Sequence, residues 1–201
     1  LMTKNNFSQI IQLIKANSSI PVIIFPGNYY QIDSNADAIL FLSLISGRNP
    51  EYLIGQHVIA APILKRTHLE VIPVGYMLVN SGHATAASYI SNTTPIPTDK
   101  VSIAVSTAMA GEMLGLQTIY MDAGSGAEAP IPPKVITAVK KNINVPLIVG
   151  GGISSVHLAI QALQAGADML ILGNSVEENP NLLIEVSERI HHLNQKPLNI
   201  N

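Results

Sequence analysis

Cysteine and tryptophan are absent from this 201-residue chain, and charged residues make up only 12% of it. Without cysteine the chain has neither a disulfide framework nor a thiolate nucleophile. Its formal net charge is −2 and no run of lysine and arginine stands out. Because nucleic-acid binding needs clustered cations that neutralise phosphates, we do not expect a nucleic-acid partner. Aromatic residues, at 4%, are too few for base-stacking platforms.

Long apolar runs are also missing. No stretch approaches the roughly 20 apolar residues of a transmembrane helix, and LMTKNNFSQI at the start lacks a signal-peptide core. We therefore expect a cytoplasmic protein without a transmembrane segment. The hydrophobic content is nevertheless 47%, which predicts a large core. Together with the scarcity of charge, it also predicts that association into a homo-oligomer covers part of the surface.

Six short apolar runs alternate with helical patterns along the chain. Each run is typical of a strand buried on both faces of a parallel sheet: residues 21–25, 38–42, 70–79, 118–121, 145–149 and 167–172. Strand–helix alternation predicts an α/β fold, either a closed (β/α)8 barrel or an open doubly wound sheet. Glycine and polar residues recur where the strands end, which is where barrel active sites are assembled, so the TIM barrel is favoured.

The length of the chain bears on how much of a barrel it contains. A complete (β/α)8 barrel typically has about 250 residues, and the first recognisable element here is a helical stripe at Phe7, Ile10, Ile11 and Ile14. We therefore expect residues 1–201 to form a single TIM-barrel domain with about six of the eight strand–helix units. The first strand, its helix and the second strand would be absent from it.

Three stretches lie outside the regular strand pattern. Pro73, inside the run 70–79, predicts a bend or an edge strand because proline cannot donate to the ladder. Residues 81–97 are rich in serine, threonine and asparagine and predict a long irregular loop. A helix is expected from about residue 50 to 66, where His57 and Tyr52 are more consistent with packing or subunit contacts than with catalysis.

Two glycine-rich strand exits suggest a phosphate site. VGGGISS at 149–155 leaves a strand and enters a helix, and LGNS at 172–175 follows the next strand. Glycine lets backbone N–H groups approach an anion, and a helix N-terminus adds positive potential. A single run of three glycines could be an ordinary turn. Glycine-rich loops after both of the last two strands, however, are typical of the phosphate sites of barrels.

A third loop of small residues follows the strand that precedes these two exits, in the stretch IYMDAGSGA at 119–127. Ser125 offers a hydroxyl, and Gly124 and Gly126 leave the backbone accessible. Asp122 stands one residue beyond the apolar run. On position alone it is either a structural carboxylate that caps the loop or a group that faces the barrel mouth as a base or hydroxyl ligand.

Taken together, these motifs closely resemble the geranylgeranylglyceryl phosphate synthases, a family of TIM-barrel prenyltransferases. The resemblance covers nearly the whole chain. The matching stretches are PVIIFPGN at 21–28, ADAILFLSLISGRNPEYLIGQHVIAAP at 36–62, EVIPVGYMLV at 70–79, YMDAGSGA at 120–127, VPLIVGGGI at 145–153 and AGADMLILGN at 165–174.

The resemblance implies a reaction and a site. The family joins a polyprenyl diphosphate, typically geranylgeranyl, to the 3-hydroxyl of sn-glycerol 1-phosphate and releases diphosphate with the help of Mg²⁺, in ether-lipid synthesis. By resemblance, the catalytic residues are Asp122 and Tyr120, where Asp122 replaces the family's usual Glu as acceptor of the hydroxyl proton. The implied substrate-binding residues are Tyr120, Met121, Asp122, Ala123, Gly124, Ser125, Gly126, Gly151, Gly152, Gly173 and Asn174.

The implied metal site is the least complete part of the resemblance. The family's magnesium ligands lie on its first strand, so they are expected in a segment before Leu1. The lipid product suggests peripheral contact with a membrane. Two other functions remain open: a different phosphate-binding barrel, such as a sugar-phosphate isomerase or lyase, and a truncated relative that binds phosphate without catalysis.

Overall fold

One parallel β-sheet organises the protein. The computed structural model describes residues 4–80 and 82–195. Its strands are β1 Ile23–Ile24, β2 Ala38–Leu44, β3 Glu70–Leu78, β4 Thr118–Asp122, β5 Leu147–Gly150 and β6 Met169–Ile171. Its helices are α1 Lys4–Asn17, α2 Gln56–Leu64, α3 Ala86–Ser91, α4 Val101–Met113, α5 Pro133–Lys140, α6 Val156–Gln164, α7 Asn174–Glu178 and α8 Asn181–Gln195. The strands pair in chain order and all pairs are parallel, as the sequence predicts.

Both faces of the sheet are apolar, which is why the strands read as continuous hydrophobic runs. Met121 of β4 packs in the outer core, between the sheet and the helices, with Ile136 of α5. Tyr120, its neighbour, points to the opposite face, where it clusters with Leu40 and Val74. Side chains alternate in this way because successive residues of a strand face opposite sides.

The sheet is curled around this inner cluster. Ile148 of β5 is part of the cluster, and Leu42 of β2 and Ile171 of β6 pack against it, so non-adjacent strands share one interior. Within residues 4–80 and 82–195, β1 pairs only with β2 and β6 pairs only with β5. The structure is therefore an α/β fold with an open, curled sheet of six strands.

The prediction that Pro73 marks an edge strand is wrong. Pro73 lies in β3, which pairs with both β2 and β4. Its carbonyl accepts a hydrogen bond from the N–H of Gln117 at 3.0 Å, so its ring nitrogen faces the same side. Because β4 begins only at Thr118, no ladder acceptor stands opposite that nitrogen, and proline is tolerated.

Two connections differ from the predicted pattern. No helix lies between β1 and β2, whose connection at 25–37 is irregular. Conversely, the predicted irregular loop 81–97 contains α3. The Thr85 side chain accepts from the Ser88 N–H at 3.3 Å, and the Ser88 hydroxyl accepts from the Thr85 N–H at 3.0 Å, which forms a capping box. This cap explains a short helix in a sequence dominated by small polar residues.

The long helix predicted after β2 is confirmed, but its first turn is wide. Residues Glu51–Gly55 are π-helical and run directly into α2. Ser43 of β2 donates its hydroxyl hydrogen to the carbonyl of Leu53 at 2.8 Å and ties this wide turn to the sheet. Among the helices that the structure describes, none has the length and apolarity needed to cross a membrane.

Candidate functional site

Three glycine-rich loops meet at the carboxyl ends of β4, β5 and β6. The Ser125 hydroxyl donates to the side-chain oxygen of Asn174 at 2.8 Å, which joins the first loop to the third. Ser175 donates its hydroxyl hydrogen to the carbonyl of Ile153 at 2.9 Å, which joins the third loop to the second. The three predicted phosphate-binding stretches thus form one continuous surface.

Glycine is required where the second loop touches the first. Gly151 has φ +80°, and a Cβ there would lie 2.8 Å from the backbone nitrogens of both Ala123 and Gly124. Only glycine combines this conformation with so close a backbone approach. Outside the strand ladder and the helices, the N–H groups of Gly152 and Gly173 donate to no residue that the structure describes. Their N–H groups are donors that an anion could occupy.

Asp122 ends β4 beside these loops and is buried, with 8% of its surface exposed. Tyr76 of β3 donates its hydroxyl hydrogen to one carboxylate oxygen, Oδ2, at 2.5 Å. The N–H of Gly124 donates to the other, Oδ1, at 2.8 Å. Hydrogen bonds to a carboxylate are about twice as strong as neutral ones, so these two donors fix the orientation of Asp122.

Two tyrosines, the buried Tyr120 and the partly buried Tyr76, lie beside the carboxylate as neutral hydroxyl groups. Burial, reinforced by the negative charge of Asp122, raises the pKa of Tyr76 and of Tyr120 far above its usual range. Both phenols therefore stay protonated at neutral pH and act as hydrogen-bond donors. A Cβ at Gly150 would lie 2.5 Å from the Tyr120 hydroxyl, so this glycine makes room for it.

An aromatic cluster leads from the carboxylate to the edge of the sheet. Phe25, just beyond β1, packs edge-on against Tyr120 and Tyr76, with ring centroids 5.7 and 6.2 Å apart. The rings of Tyr76 and Tyr120 lie 5.2 Å apart. The site consequently has a polar side, formed by the glycine loops, and an aromatic side.

An apolar groove begins at the aromatic side. It has a volume of about 290 Å³ and runs between β2 and α2, with α3 at one border. Its walls include Phe25, Leu40, Leu42, Ala60, Leu64 and Tyr76. Tyr76 both lines the groove and binds Asp122, so this one side chain connects the groove with the carboxylate.

Most of the predicted site residues come together, but Met121 does not face them. Its side chain is fully buried in the outer core, on the opposite side of the sheet from Tyr120 and Asp122. Ala123 is buried and donates its N–H to the carbonyl of Gly150 at 3.0 Å. A Cβ at Gly152 would meet the backbone of Ala129 at 2.7 Å, so this glycine also permits close packing.

Sequence reasoning missed the pairing of Tyr76 with Asp122 and the contribution of Phe25. Tyr76 stands opposite Tyr120 in the parallel register of β3 and β4. The signal that could have found this pairing is the register of β3 and β4, because that register places Tyr76 and Tyr120 on the same face of the sheet. Phe25 carries no such signal, since it lies beyond a two-residue strand.

The described residues do not form a metal centre of their own. No group of three or more His, Cys, Asp or Glu side chains converges within residues 4–80 and 82–195. Asp122 is held by two protein donors, on both of its oxygens. This donor set does not fit a resident Mg²⁺, which prefers several oxygen ligands.

Comparison with known proteins places this geometry in a family. The family model described as PcrB matches residues 2–190. The geranylgeranylglyceryl phosphate synthase of Spirosoma linguale is 56% identical over 97% of this chain and 78% of its own length. The Saccharolobus solfataricus synthase is 40% identical over 92% of this chain and 71% of its own length.

A solved structure agrees with the sequence matches. It is (S)-3-O-geranylgeranylglyceryl phosphate synthase from Thermoplasma acidophilum in complex with its substrate sn-glycerol-1-phosphate. It superposes with a TM-score of 0.89 at 34% identity, covering 94% of this chain and 77% of that one. With the family model spanning nearly the whole sequence, the chain belongs to the PcrB family.

Proposed function

We propose that this protein is a prenyltransferase of ether-lipid synthesis. It joins a polyprenyl group, preferably geranylgeranyl, from its diphosphate to the 3-hydroxyl of sn-glycerol 1-phosphate and releases diphosphate. One observation carries the proposal: Asp122 ends its strand beside the glycine-rich loops and is hydrogen-bonded to Tyr76, which lines an apolar groove. The names of its relatives and the substrate bound in the Thermoplasma acidophilum structure support it.

The glycine loops suit the phosphate of glycerol 1-phosphate. The backbone N–H groups of Gly152 and Gly173 donate to no described residue outside the strand ladder and the helices, and Asn174 opens α7. A phosphate here would receive several charge-assisted hydrogen bonds, each stronger than a neutral one. The Ser125–Asn174 hydrogen bond holds two of the three loops in place before the substrate arrives.

Asp122 then acts on the glycerol hydroxyl. The oxygen of the 3-hydroxyl forms a bond to the first carbon of the prenyl chain, the bond from that carbon to diphosphate breaks, and the hydroxyl proton passes to Asp122. Tyr76 and the N–H of Gly124 orient the carboxylate. Aspartate is one methylene shorter than the glutamate common in the resembling family, and these two fixed donors set how far its oxygens reach.

The groove between β2 and α2 suits the hydrocarbon tail. Its walls are mostly aliphatic or aromatic, and each buried CH2 group contributes about 0.8 kcal/mol. A tail of about 20 carbons therefore provides ample binding energy even when the groove covers only part of it. No cationic side chain lines the groove, as expected for a hydrocarbon ligand.

Magnesium dependence remains a prediction that rests on the resemblance alone. Residues 4–80 and 82–195 provide no cluster of metal ligands, and the roles proposed for their side chains involve no metal. Activity measured with and without EDTA tests it, since a magnesium-dependent enzyme stops when the chelator is in excess.

Three further properties belong to the same proposal. We propose that the open edges of β1 and β6 pair with two further strands in a closed eight-stranded barrel. Exposed apolar side chains of α2, including Val58, Ile59 and Ile63, support a homo-oligomer. A cytoplasmic location, with peripheral membrane contact for the lipid product, also stays a prediction.

Synthesis of the ether tests the function. The protein is incubated with radiolabelled sn-glycerol 1-phosphate, magnesium and prenyl diphosphates of several lengths, and the label is measured after extraction into butanol. We expect a labelled, butanol-soluble ether phosphate. Glycerol phosphate binding without product at any prenyl length would instead indicate a non-catalytic relative, and the proposal would be wrong.

A further inference from the structure

The loop between β3 and α3 lies against the loop that follows Asp122, and two contacts join them. The Thr85 side chain packs on Gly124, where an added Cβ would lie 2.5 Å from the Thr85 methyl carbon, Cγ2. The Nδ1 atom of His83 lies 3.4 Å from the Oε1 atom of Glu128. Thr85 is buried, whereas the side chains of His83 and Glu128 are 45% and 70% exposed. Because exposed ion pairs contribute little, the Thr85 contact is the one that holds the two loops together.

Gly124 carries the backbone group that fixes the Asp122 carboxylate. Its N–H donates to Oδ1 of Asp122 at 2.8 Å. The φ of Gly124 is +93°, in the left-handed region, and glycine has more backbone freedom than any other residue. The direction of this N–H therefore depends on what packs around the glycine.

Two neighbours contact Gly124 at different atoms. A Cβ at Gly151 would lie 2.8 Å from the Gly124 nitrogen, so the backbone of the second glycine loop stands beside the N–H group. The Thr85 methyl group occupies the space beside the α-carbon of Gly124, where any other residue would carry its side chain. Without that methyl group, part of this space would be empty and the turn would be free to relax into it.

Helix capping alone does not explain a threonine at position 85. The Thr85 hydroxyl accepts a hydrogen bond from the N–H of Ser88 at 3.3 Å and so caps α3. Serine, aspartate and asparagine cap helices at least as well, and none of them has a methyl group on Cβ. Valine has the methyl group but cannot cap. Threonine therefore makes two separable contacts here, one through its hydroxyl to α3 and one through its methyl group to Gly124.

We propose that Thr85 is a positioning residue whose methyl group holds the Gly124 turn in the geometry that orients Asp122 for proton transfer. The inference rests on the proposed function, since it gives Thr85 an effect on that reaction, and Thr85 acts through Gly124 rather than on the reacting atoms. The anchor of Thr85 is α3, and residues of this helix line the groove: Ala87, Ile90 and Ser91. Thr85 thus joins a wall of the groove to the loop that orients the carboxylate.

Two variants separate the contacts of Thr85. Thr85→Ser removes the methyl group and keeps the cap, whereas Thr85→Val keeps a methyl group beside Gly124 and removes the cap. Amide hydrogen exchange at Gly124, followed by nuclear magnetic resonance, reports on its N–H, and thermal unfolding reports on the cap. Thr85→Ser should exchange this amide about threefold to tenfold faster with little change in melting temperature. Thr85→Val should exchange it at nearly the wild-type rate and have a lower melting temperature.

Turnover provides the readout that a merely structural role would not change. With both substrates saturating, Thr85→Ser should lower kcat about threefold to fivefold, while the KM for geranylgeranyl diphosphate stays within about twofold of the wild-type value. In an Asp122→Asn background, Thr85→Ser should lower kcat no further, because the group that it positions no longer accepts the proton. The residual turnover of these variants is measured with radiolabelled sn-glycerol 1-phosphate.

His83→Ala is the matched control. It removes the other contact between the same two loops, in which both side chains are largely exposed. Neither His83 nor Glu128 has a part in the proposed reaction. The rate of exchange at Gly124 and kcat should therefore both equal the wild-type values in His83→Ala.

The outcomes distinguish this inference from the proposed function. The inference is wrong if Thr85→Ser exchanges the Gly124 amide at the wild-type rate, or if it lowers kcat as much in Asp122→Asn as in the wild type. It is also wrong if Thr85→Val or His83→Ala lowers kcat as strongly as Thr85→Ser. Absence of product with the wild-type protein would instead contradict the proposed function, and the exchange measurement would still decide whether the methyl group holds Gly124.

Discussion

Gly151→Ala tests whether the glycine loops hold the phosphate. At φ +80° an alanine costs about 1–2 kcal/mol in backbone strain. Its Cβ would also stand 2.8 Å from the backbone nitrogens of Ala123 and Gly124, so one loop must move away from the other. A charge-assisted hydrogen bond contributes about 1.5–3 kcal/mol. Loss of one or two such bonds should weaken glycerol 1-phosphate binding at least tenfold.

Gly115→Ala is the matched control. Gly115 has φ +87° and follows α4, at the opposite end of β4 from Asp122, and a Cβ added there would meet no atom within 4 Å. It therefore carries the same backbone strain without the clash. Calorimetric titration with sn-glycerol 1-phosphate should show an unchanged Kd for Gly115→Ala and a raised Kd for Gly151→Ala. Equal Kd values for both variants would refute the assignment of the phosphate cradle.

Three other substitutions test the carboxylate and the groove. Tyr76→Phe removes the 2.5 Å hydrogen bond to Asp122, which should lower the free energy of unfolding by about 1.5–3 kcal/mol in urea titrations and slow turnover; unchanged stability and turnover would exclude an orienting role. Asp122→Asn removes the proton acceptor and should reduce kcat at least about 100-fold, while full turnover would remove Asp122 from the chemistry. The lowered pKa of His57 means that the unfolded chain binds its proton more readily. The wild type should therefore lose stability as pH falls below about 6.5, and His57→Leu should lose less over the same range; parallel pH profiles would contradict this.

The features that the sequence predicted well are encoded locally. Six apolar runs became six parallel strands, and the glycine-rich exits at 123–126, 150–152 and 173–174 converge as expected. Strands buried on both faces need apolar residues throughout, and close backbone contacts need glycine. Both requirements can therefore be recognised from the amino-acid composition of short stretches of the sequence.

The features that were missed depend on distant contacts. Tyr76 lies 46 residues before Asp122, and only the register of β3 and β4 brings them together. Pro73 was misjudged because its tolerance depends on where the neighbouring strand begins. No local pattern contains this information.

The release of diphosphate tests the central claim of prenyl transfer most directly. Diphosphate is measured from geranylgeranyl diphosphate in the presence and absence of sn-glycerol 1-phosphate. The proposed reaction predicts release that requires the glycerol phosphate and equals the ether formed, because the hydroxyl oxygen replaces the leaving group at the same carbon. Release that is independent of glycerol 1-phosphate, or no release under any condition, would contradict the assignment of this site as a prenyltransferase.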